Sequence, residues 1–183
     1  MAKKAIILLA EGFEEIEAVT CVDILRRAGI QTTTIGVTNL IVGGSRRLEL
    51  KTDMTISDLP LDYDAVILPG GMPGAENLAK SVQVTTLLKE ADNQGKIIAA
   101  ICAAPAVVFS PLGLLDSKTA TCYPGLEENF SETTTHKTEK VVTDKNLITS
   151  QGPATALEFA LKIVETLTNN ELSQKIKKAT LAE

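Results

Sequence analysis

Cys102 is the residue whose position in this sequence is most typical of a catalytic nucleophile. It ends the aliphatic run IIAAICAAP, which predicts a buried strand turning directly into a helix. This layout is that of a nucleophile elbow, although Ile, Cys and Ala replace the usual Gly-x-Ser-x-Gly residues. Free N–H groups at a helix N-terminus stabilise a thiolate, so we expect a thiol that is reactive near neutral pH. The competing interpretation is a small buried hydrophobic residue. Position alone leaves both open.

Two other segments are predicted to lie close to Cys102. Gly70 and Gly71 follow the aliphatic run 64–68, and an acidic stretch containing Glu17 follows the first apolar run. The carboxyl ends of parallel strands meet at one sheet edge, where ligands bind. A glycine loop there can bring N–H groups to an oxyanion, although Pro-Gly-Gly alone also predicts a plain turn. Glu17 has apolar neighbours, so it is either a buried carboxyl with a raised pKa or part of a solvated helix start.

Metal and nucleotide sites find no support in the sequence. His136 is the single histidine, and its polar surroundings predict a solvated loop residue. Cys21, Cys102 and Cys122 form no CxxC pair, so neither a zinc site nor a disulfide framework is predicted, and a reducing cytoplasmic location fits best. Neither GxGxxG after the first strand nor GxxxxGK[ST] occurs. We therefore predict no cofactor and no metal.

Nucleic acid and membrane are also predicted to be absent as partners. Lys and Arg total 18 against 23 Asp and Glu, the net charge is −5, and aromatic residues make up only 3%. Such a chain lacks a phosphate-tracking groove and base-stacking platforms. The apolar run 5–10 is too short for a signal peptide. The uncharged stretch 97–115 is interrupted by Pro105, Pro111 and Gly113, so it predicts a strand and a short helix, not a membrane span.

Apolar runs alternate with helical patterns along all 183 residues, 44% of which are apolar. Strands are predicted at residues 4–10, 32–37, 64–68, 96–101, 119–122, 140–142 and 147–150, with a small hairpin within 40–54. Helices are predicted at residues 14–28, 75–80, 82–93, 103–109, from 152 to 167, and 171–181. Aliphatic strands separated by helices predict an α/β fold: a doubly wound, mostly parallel sheet with helices on both faces, forming a single domain over residues 1–183.

Four segments strongly resemble the ThiJ/PfpI superfamily. They are AEGFEEIEAVTCVDILRRAGI, YDAVILPGGMPGAENL, IIAAICAAP and LITSQGPATALEFALKIVE. The resemblance covers residues 4 to about 167 and is to the branch of the Parkinsonism-linked protein deglycase, the DJ-one-like branch. It implies a flavodoxin-like sandwich that forms a homodimer and has neither an organic cofactor nor a metal.

The resemblance also implies roles for particular residues. Cys102 matches the reactive cysteine, and Glu17 matches the buried acid that hydrogen-bonds to it. Gly71 and Ala103 match the backbone donors beside the sulfur, which serve as an oxyanion site. The first helix, which carries Glu17, is implied to lie near the dimer contact, and so are the two arginines of the pocket. The implied pocket residues are Gly70, Arg27, Arg46, Tyr123 and Pro153.

One departure from the family pattern concerns proton transfer. Enzymes of the branch often carry a histidine near the cysteine in a Thr-His-Pro context, whereas this chain reads Thr121-Cys122-Tyr123-Pro124. Tyr123 takes the place of the histidine, so a mechanism that needs an imidazole is put in doubt. For Cys122 the favoured role is packing.

The resemblance implies cofactor-independent detoxification of reactive dicarbonyls, of the glyoxalase or deglycase type. Methylglyoxal would be converted to lactate through a hemithioacetal on Cys102. A second hypothesis is a redox-sensing or chaperone protein of the oxidative stress response that acts through oxidation of Cys102 to sulfinate. The missing histidine shifts weight toward it. A third, an intracellular peptidase, is weakest because His136 is the single imidazole that the chain offers.

Overall fold

The computed structural model describes residues 2–59 and 62–182. Its strands are β1 (Lys4–Leu9), β2 (Gln31–Gly36), β3 (Ile41–Gly43), β4 (Glu49–Lys51), β5 (Met54–Thr55), β6 (Ala65–Leu68), β7 (Ile97–Ile101), β8 (Thr119–Ala120), β9 (Thr135–His136), β10 (Val141–Asp144) and β11 (Leu147–Ser150). Its α-helices are α1 (Glu15–Arg27), α2 (Gly74–Lys80), α3 (Val82–Asn93), α4 (Ala156–Leu167) and α5 (Asn170–Ala179).

Seven strands form the central sheet in the order β10-β11-β7-β6-β1-β2-β5. All neighbours pair in parallel except β10 and β11. Successive side chains of a strand point to opposite faces, and every residue of β6 is buried, so both faces of the sheet are covered. The chain leaves β1 for β2 on one side and later returns to β6 on the other. The reversal lies between β1 and β6, where open α/β sheets bind ligands. The predicted fold class is confirmed.

Helix α1 is stabilised by charged residues at its ends and by apolar residues buried on one side. The Glu14 side chain caps the helix by accepting the Glu17 N–H at 2.9 Å. Acidic residues in the first turn and Arg26 and Arg27 in the last turn match the helix dipole. The buried side, which includes Ile24, packs with α4. This end of α1 brings Glu17 to the carboxyl edge of the sheet.

The hairpin of β3 and β4 is fastened to the start of α1 by Glu15. The carboxylate of Glu15 accepts the Arg46 N–H at 2.6 Å and the Ser45 hydroxyl at 3.2 Å. Burial raises the pKa of Glu15, but these hydrogen bonds and the one from Leu48 N–H outweigh it, so the pKa lies below its ordinary value. A side chain at Gly44 would collide with the carboxylate, because a Cβ there would lie 2.3 Å from Oε1. The hairpin and the site residue Glu17 are therefore tied to the same helix start.

Two predicted elements differ from the structure. The strand expected at 119–122 ends at Ala120, and the next N–H, that of Thr121, donates to a side chain, the Thr149 hydroxyl, at 2.9 Å. The short strand pairs with β9 in a separate two-stranded sheet. The helix expected at 103–109 is a π-helical segment at Pro105–Phe109. Segments of π-helix occur often at functional sites. This one begins three residues after Cys102.

Candidate active site

Cys102 lies at the end of β7 in a conformation that is costly for a residue with a side chain. Its φ is 64°, in the left-handed region that favours glycine. The Cys102 N–H donates to the Ser150 carbonyl at 2.9 Å, and the Cys102 carbonyl accepts the Tyr123 N–H at 2.8 Å. Such strained residues persist where their surroundings fix them, and they cluster at active sites. The sharp turn predicted from the sequence is present.

The glycine loop allows three segments of backbone to meet beside Cys102. A Cβ at Gly70 would lie 2.6 Å from the Cβ of Cys102 and 2.9 Å from the Ala103 nitrogen. At Gly71, whose φ is 87°, a Cβ would lie 2.5 Å from the Glu14 nitrogen. The Glu14 N–H in turn donates to the Gly70 carbonyl at 2.9 Å. Glycine is required at both positions for close approach, and at Gly71 for its backbone conformation as well.

Glu17 is fully buried beside the thiol. Its Oε2 accepts the Gly70 N–H at 2.7 Å, while Oε1 has no hydrogen-bond partner in the described part of the chain. The Cys102 thiol is close enough for each group to affect the pKa of the other. Burial raises the pKa of Glu17 to about 7, against the lowering effect of the Gly70 hydrogen bond. A carboxyl with this pKa can accept and donate a proton at neutral pH.

The sequence predicted a Cys102 thiolate stabilised near neutral pH, which requires a lowered thiol pKa, and this prediction is wrong. Burial, followed by the Glu17 charge, raises the pKa of Cys102 to about 12, and the Gly71 and Ala103 N–H groups only partly oppose this rise. Cys102 retains only 8% of its accessible surface, so water stabilises a thiolate poorly. At neutral pH the thiol is therefore protonated, and Glu17, near its own pKa, is partly ionised. The thiol therefore needs Glu17 to take its proton when it reacts.

Tyr123 and Pro153 also lie at this edge of the sheet. Tyr123 is bonded through its N–H to Cys102, and its ring lies against Gly152, the residue before Pro153. Tyr123 is 49% exposed, in contrast to the nearly buried cysteine. Tyr123 is thus next to the reactive residue, whereas the place of Pro153 in a pocket stays a prediction.

The structure of one chain does not bring Arg27 to the site. Arg27 is the last residue of α1, ten residues after Glu17, which corresponds to about 15 Å along the helix. Its guanidinium pairs with Asp23 at 2.6 Å, because the two side chains lie one helical turn apart. The place of Arg27 in a pocket at the dimer contact therefore stays a prediction, which a single chain does not support. Arg46 lies on the hairpin with an exposed side chain, and its place in a pocket stays a prediction.

The histidine and the two other cysteines have surroundings of a different kind, although Cys21 lies one helical turn after Glu17 and Cys122 directly precedes Tyr123. His136 is in β9, where its ring packs edge-to-face on Phe130 at 5.9 Å between centroids. Cys21 and Cys122 are buried free thiols whose pKa values are raised mainly by burial. Across residues 2–59 and 62–182, no three His, Cys, Asp or Glu side chains are grouped to hold a metal ion. Over the same residues, no helix has the length and apolar character needed to cross a bilayer.

Sequence reasoning missed two residues that shape the site. Ser150 holds the Cys102 N–H through its carbonyl, and Glu14 both caps α1 and donates its N–H to the Gly70 carbonyl. Ser150 ends a predicted strand at the sheet edge shared with Cys102, which is a usable signal. Glu14 carried a weaker one, an acidic residue just before a helix, where its side chain can accept a backbone N–H.

The sequence matches the family model described as the DJ-1/PfpI family over residues 3–166. The chain belongs to the DJ-1/PfpI family. The solved structure of oxidized Toxoplasma gondii DJ-1 is similar at a TM-score of 0.95 and 42% identity, with 98% of each chain covered. This chain therefore shares its flavodoxin-like α/β fold with a DJ-1 protein of solved structure.

Some relatives in the DJ-1/PfpI family are much longer than this chain, and others have about the same length. Protein DJ-1 homolog B of Arabidopsis thaliana is 41% identical over 94% of this chain, which spans only 40% of that protein's length. Glutathione-independent glyoxalase DJR-1.2 of Caenorhabditis elegans is 36% identical, with 96% of this chain and 95% of the relative covered.

We expect Gly70→Ala to disturb the site directly. Its Cβ would overlap the Cys102 Cβ, so the variant should lose about 1–3 kcal/mol of unfolding free energy. It should also slow alkylation of Cys102 by iodoacetamide by roughly tenfold or more, because the thiol is displaced from Glu17. Gly95→Ala is the control for alkylation: a Cβ there meets no atom within 4 Å, but the φ of 67° strains an alanine, so this variant should lose stability while its Cys102 is alkylated at the wild-type rate. Alkylation of Gly70→Ala at the wild-type rate would contradict the steric argument.

Proposed function

We propose that this chain is a cysteine-dependent enzyme that detoxifies reactive dicarbonyls without a cofactor. Its activity would be of the glutathione-independent glyoxalase or deglycase type, acting on methylglyoxal or on glycated groups derived from it. The observation that carries the proposal is the buried pair of Cys102 and Glu17, with the Gly71 and Ala103 N–H groups beside the sulfur. The glyoxalase name of the Caenorhabditis elegans relative supports the same class of reaction.

The first step joins the thiol to the aldehyde. Glu17 as carboxylate accepts the Cys102 proton while the sulfur attacks the aldehyde carbon, forming the S–C bond. The carbonyl electron pair moves to oxygen, and the Gly71 and Ala103 N–H groups stabilise the oxyanion. Glu17 then returns its proton to that oxygen, which leaves a neutral hemithioacetal and a carboxylate. Charge does not accumulate in the buried site during this step.

The second step moves hydrogen from carbon to carbon through an enediol. The Glu17 carboxylate removes the proton from the sulfur-bearing carbon and passes it to the neighbouring ketone oxygen, which gives the enediol. Glu17 then takes the proton of the hydroxyl on the sulfur-bearing carbon and donates a proton to the former ketone carbon, which gives a thioester of a 2-hydroxy acid. Water attacks this thioester, the S–C bond breaks, and lactate and the Cys102 thiol are released. No electrons enter or leave, so no redox partner is needed.

This route uses no imidazole. A general base works best when its pKa lies near the working pH, and burial gives Glu17 a pKa of about 7. The same group can therefore act as base and then as acid. Tyr123 in the place of the family histidine is compatible with such a mechanism.

We expect Cys102→Ala to abolish lactate formation from methylglyoxal, and Glu17→Gln to lower kcat/KM by about 100-fold or more. For the wild type, kcat/KM should rise as pH increases through about 7, because the carboxylate is the base and the raised pKa of Glu17 lies there. Glu17→Gln should lose this inflection. Lactate release measured between pH 5 and 9 checks both.

Glu76→Gln serves as the control, because Glu76 is an exposed carboxylate paired with Lys80 on α2. It should retain wild-type kcat/KM and the wild-type pH profile. Lactate formation by either Cys102→Ala or Glu17→Gln at the wild-type rate would exclude the mechanism.

A second candidate function is a sensor or chaperone of the oxidative stress response, in which Cys102 is oxidised to sulfinate. The surroundings of the sulfur favour this candidate: two N–H groups and a carboxyl that is partly protonated at neutral pH can all donate to sulfinate oxygens. Each oxygen would come from one peroxide molecule, which is reduced to water. Cys102 is also more accessible than Cys21 and Cys122.

We expect mild peroxide to add two oxygens to Cys102 before it modifies Cys21 or Cys122. Cys21 and Cys122 are each only 1% exposed, so peroxide reaches them more slowly. Mass spectrometry of peptides from the folded protein measures the three sites separately. Equal oxidation of all three cysteines would count against the sensor.

We also propose a homodimer and a cytoplasmic location, where reducing conditions keep the three cysteines as free thiols. Exposed apolar side chains on α1 and on the neighbouring hairpin support the homodimer: Ile16, Val19, Ile41 and Leu48. Because Glu15 holds the hairpin to the start of α1, these side chains belong to neighbouring elements. Apolar groups of this kind are stabilised when a partner covers them.

Val19→Glu should shift the particle from twice the chain mass to one chain mass, because a charge would be buried at the proposed contact. Light scattering after size exclusion measures this mass. Val82→Glu is the matched control, since Val82 is 77% exposed at the start of α3. A wild type that elutes with the mass of one chain would rule out the dimer.

A further inference from the structure

Tyr123 differs from the other aromatic residues of the chain in its exposure. The chain has six aromatic residues, all within the described part. Five of them are buried or partly buried: Phe13, Tyr63, Phe109, Phe130 and Phe159. Tyr123 is 49% exposed. A single exposed hydrophobic residue is ordinary on a protein surface. Tyr123 calls for an explanation because of where its backbone is attached.

The backbone of Tyr123 is fixed to the reactive residue. Its N–H donates to the Cys102 carbonyl at 2.8 Å, a contact that places the two residues about 5 Å apart, as in neighbouring strands. Pro124 follows, and a proline restricts the preceding residue to extended conformations. The position of this tyrosine is thus set relative to Cys102.

The ring of Tyr123 has one side in contact with the protein. A Cβ at Gly152 would lie 3.4 Å from Cδ2 and 3.7 Å from Cε2 of the ring, so the ring rests on the glycine backbone. Gly152 follows Ser150 by two residues, and the Ser150 carbonyl holds the Cys102 N–H. The ring therefore stands on the same strand end that fixes the thiol. Its exposed surface is available to a ligand.

We propose that Tyr123 determines substrate specificity, by stacking its ring on a flat substituent of an α-oxoaldehyde held at Cys102. The site would then prefer aromatic α-oxoaldehydes to methylglyoxal. This inference rests on the proposed function and adds the class of substrate. In the hemithioacetal the substituent is three bonds from the sulfur, and the proposal requires that it extend from the nearly buried thiol toward the exposed ring of Tyr123. Aromatic pairs favour offset or edge-to-face contact, which a methyl group cannot reproduce.

The test compares phenylglyoxal with methylglyoxal as substrates for the wild type, Tyr123→Phe and Tyr123→Ala. The ratio of the two kcat/KM values should fall by about three- to tenfold in Tyr123→Ala, as expected for a lost aromatic pair. Tyr123→Phe keeps the ring and should keep the ratio. Val82→Ala, which truncates an exposed side chain on another element, should leave the ratio unchanged. An unchanged ratio in Tyr123→Ala would overturn the inference while leaving the glyoxalase proposal intact.

A second arm does not depend on turnover. Cys102 is alkylated with phenacyl chloride or chloroacetone, and each rate is divided by that of the same reagent with glutathione. The preference for the phenacyl reagent should fall by about three- to tenfold in Tyr123→Ala and persist in Tyr123→Phe. If the wild type turns over neither aldehyde but shows this preference, the proposed function fails and the role of the ring stands. If Tyr123→Ala retains the wild-type preference in this arm as well, the role of the ring fails.

Discussion

Cys102 keeps its left-handed backbone because two residues distant in sequence hold the peptide groups on either side of it. Ser150 binds the N–H and Tyr123 binds the carbonyl, so relaxation of φ would break both hydrogen bonds. The bond to Ser150 forms only when β7 and β11 are in register. The sharp turn at Cys102 also requires glycine at position 70, since any Cβ there would overlap Cys102. The conformation of one residue thus depends on the alignment of the central sheet.

The second constraint is the burial of one acid beside another. Glu17 and Cys102 share a site from which most water is excluded, and the cost of placing two negative charges there keeps one proton on the pair. A nucleophile that is mainly protonated at rest is protected from unspecific reaction. The carboxyl with a pKa of about 7 provides the base when an electrophile arrives. When Glu17 is protonated, its carboxyl would donate to a sulfinate, so the two candidate functions draw on one electrostatic arrangement.

The start of α1 connects this site to the molecular surface. The Glu15 carboxylate binds the hairpin, and the Glu17 carboxyl lies beside the thiol. Glu14 binds the glycine loop through its N–H and caps α1 through its carboxylate. Three carboxylates within one helical turn therefore have different environments. The apolar side chains exposed on α1 and on the hairpin lie on the elements that these contacts join. A partner chain on that face would contact the helix that carries Glu17.

The sequence by itself determined the order of the elements, because aliphatic strands and amphipathic helices carry strong local periodicity. It also placed Cys102 and Gly70 at strand ends, and the family resemblance singled out Glu17, Gly71 and Ala103. Only the tertiary structure decided the direction of the thiol pKa, since that depends on burial and on the distance to Glu17. It also separated Arg27 from the site and made the segment after Cys102 a π-helix. Short-range pattern fixes which residues form an element, whereas charge and proximity depend on groups far apart in the chain that only folding brings together.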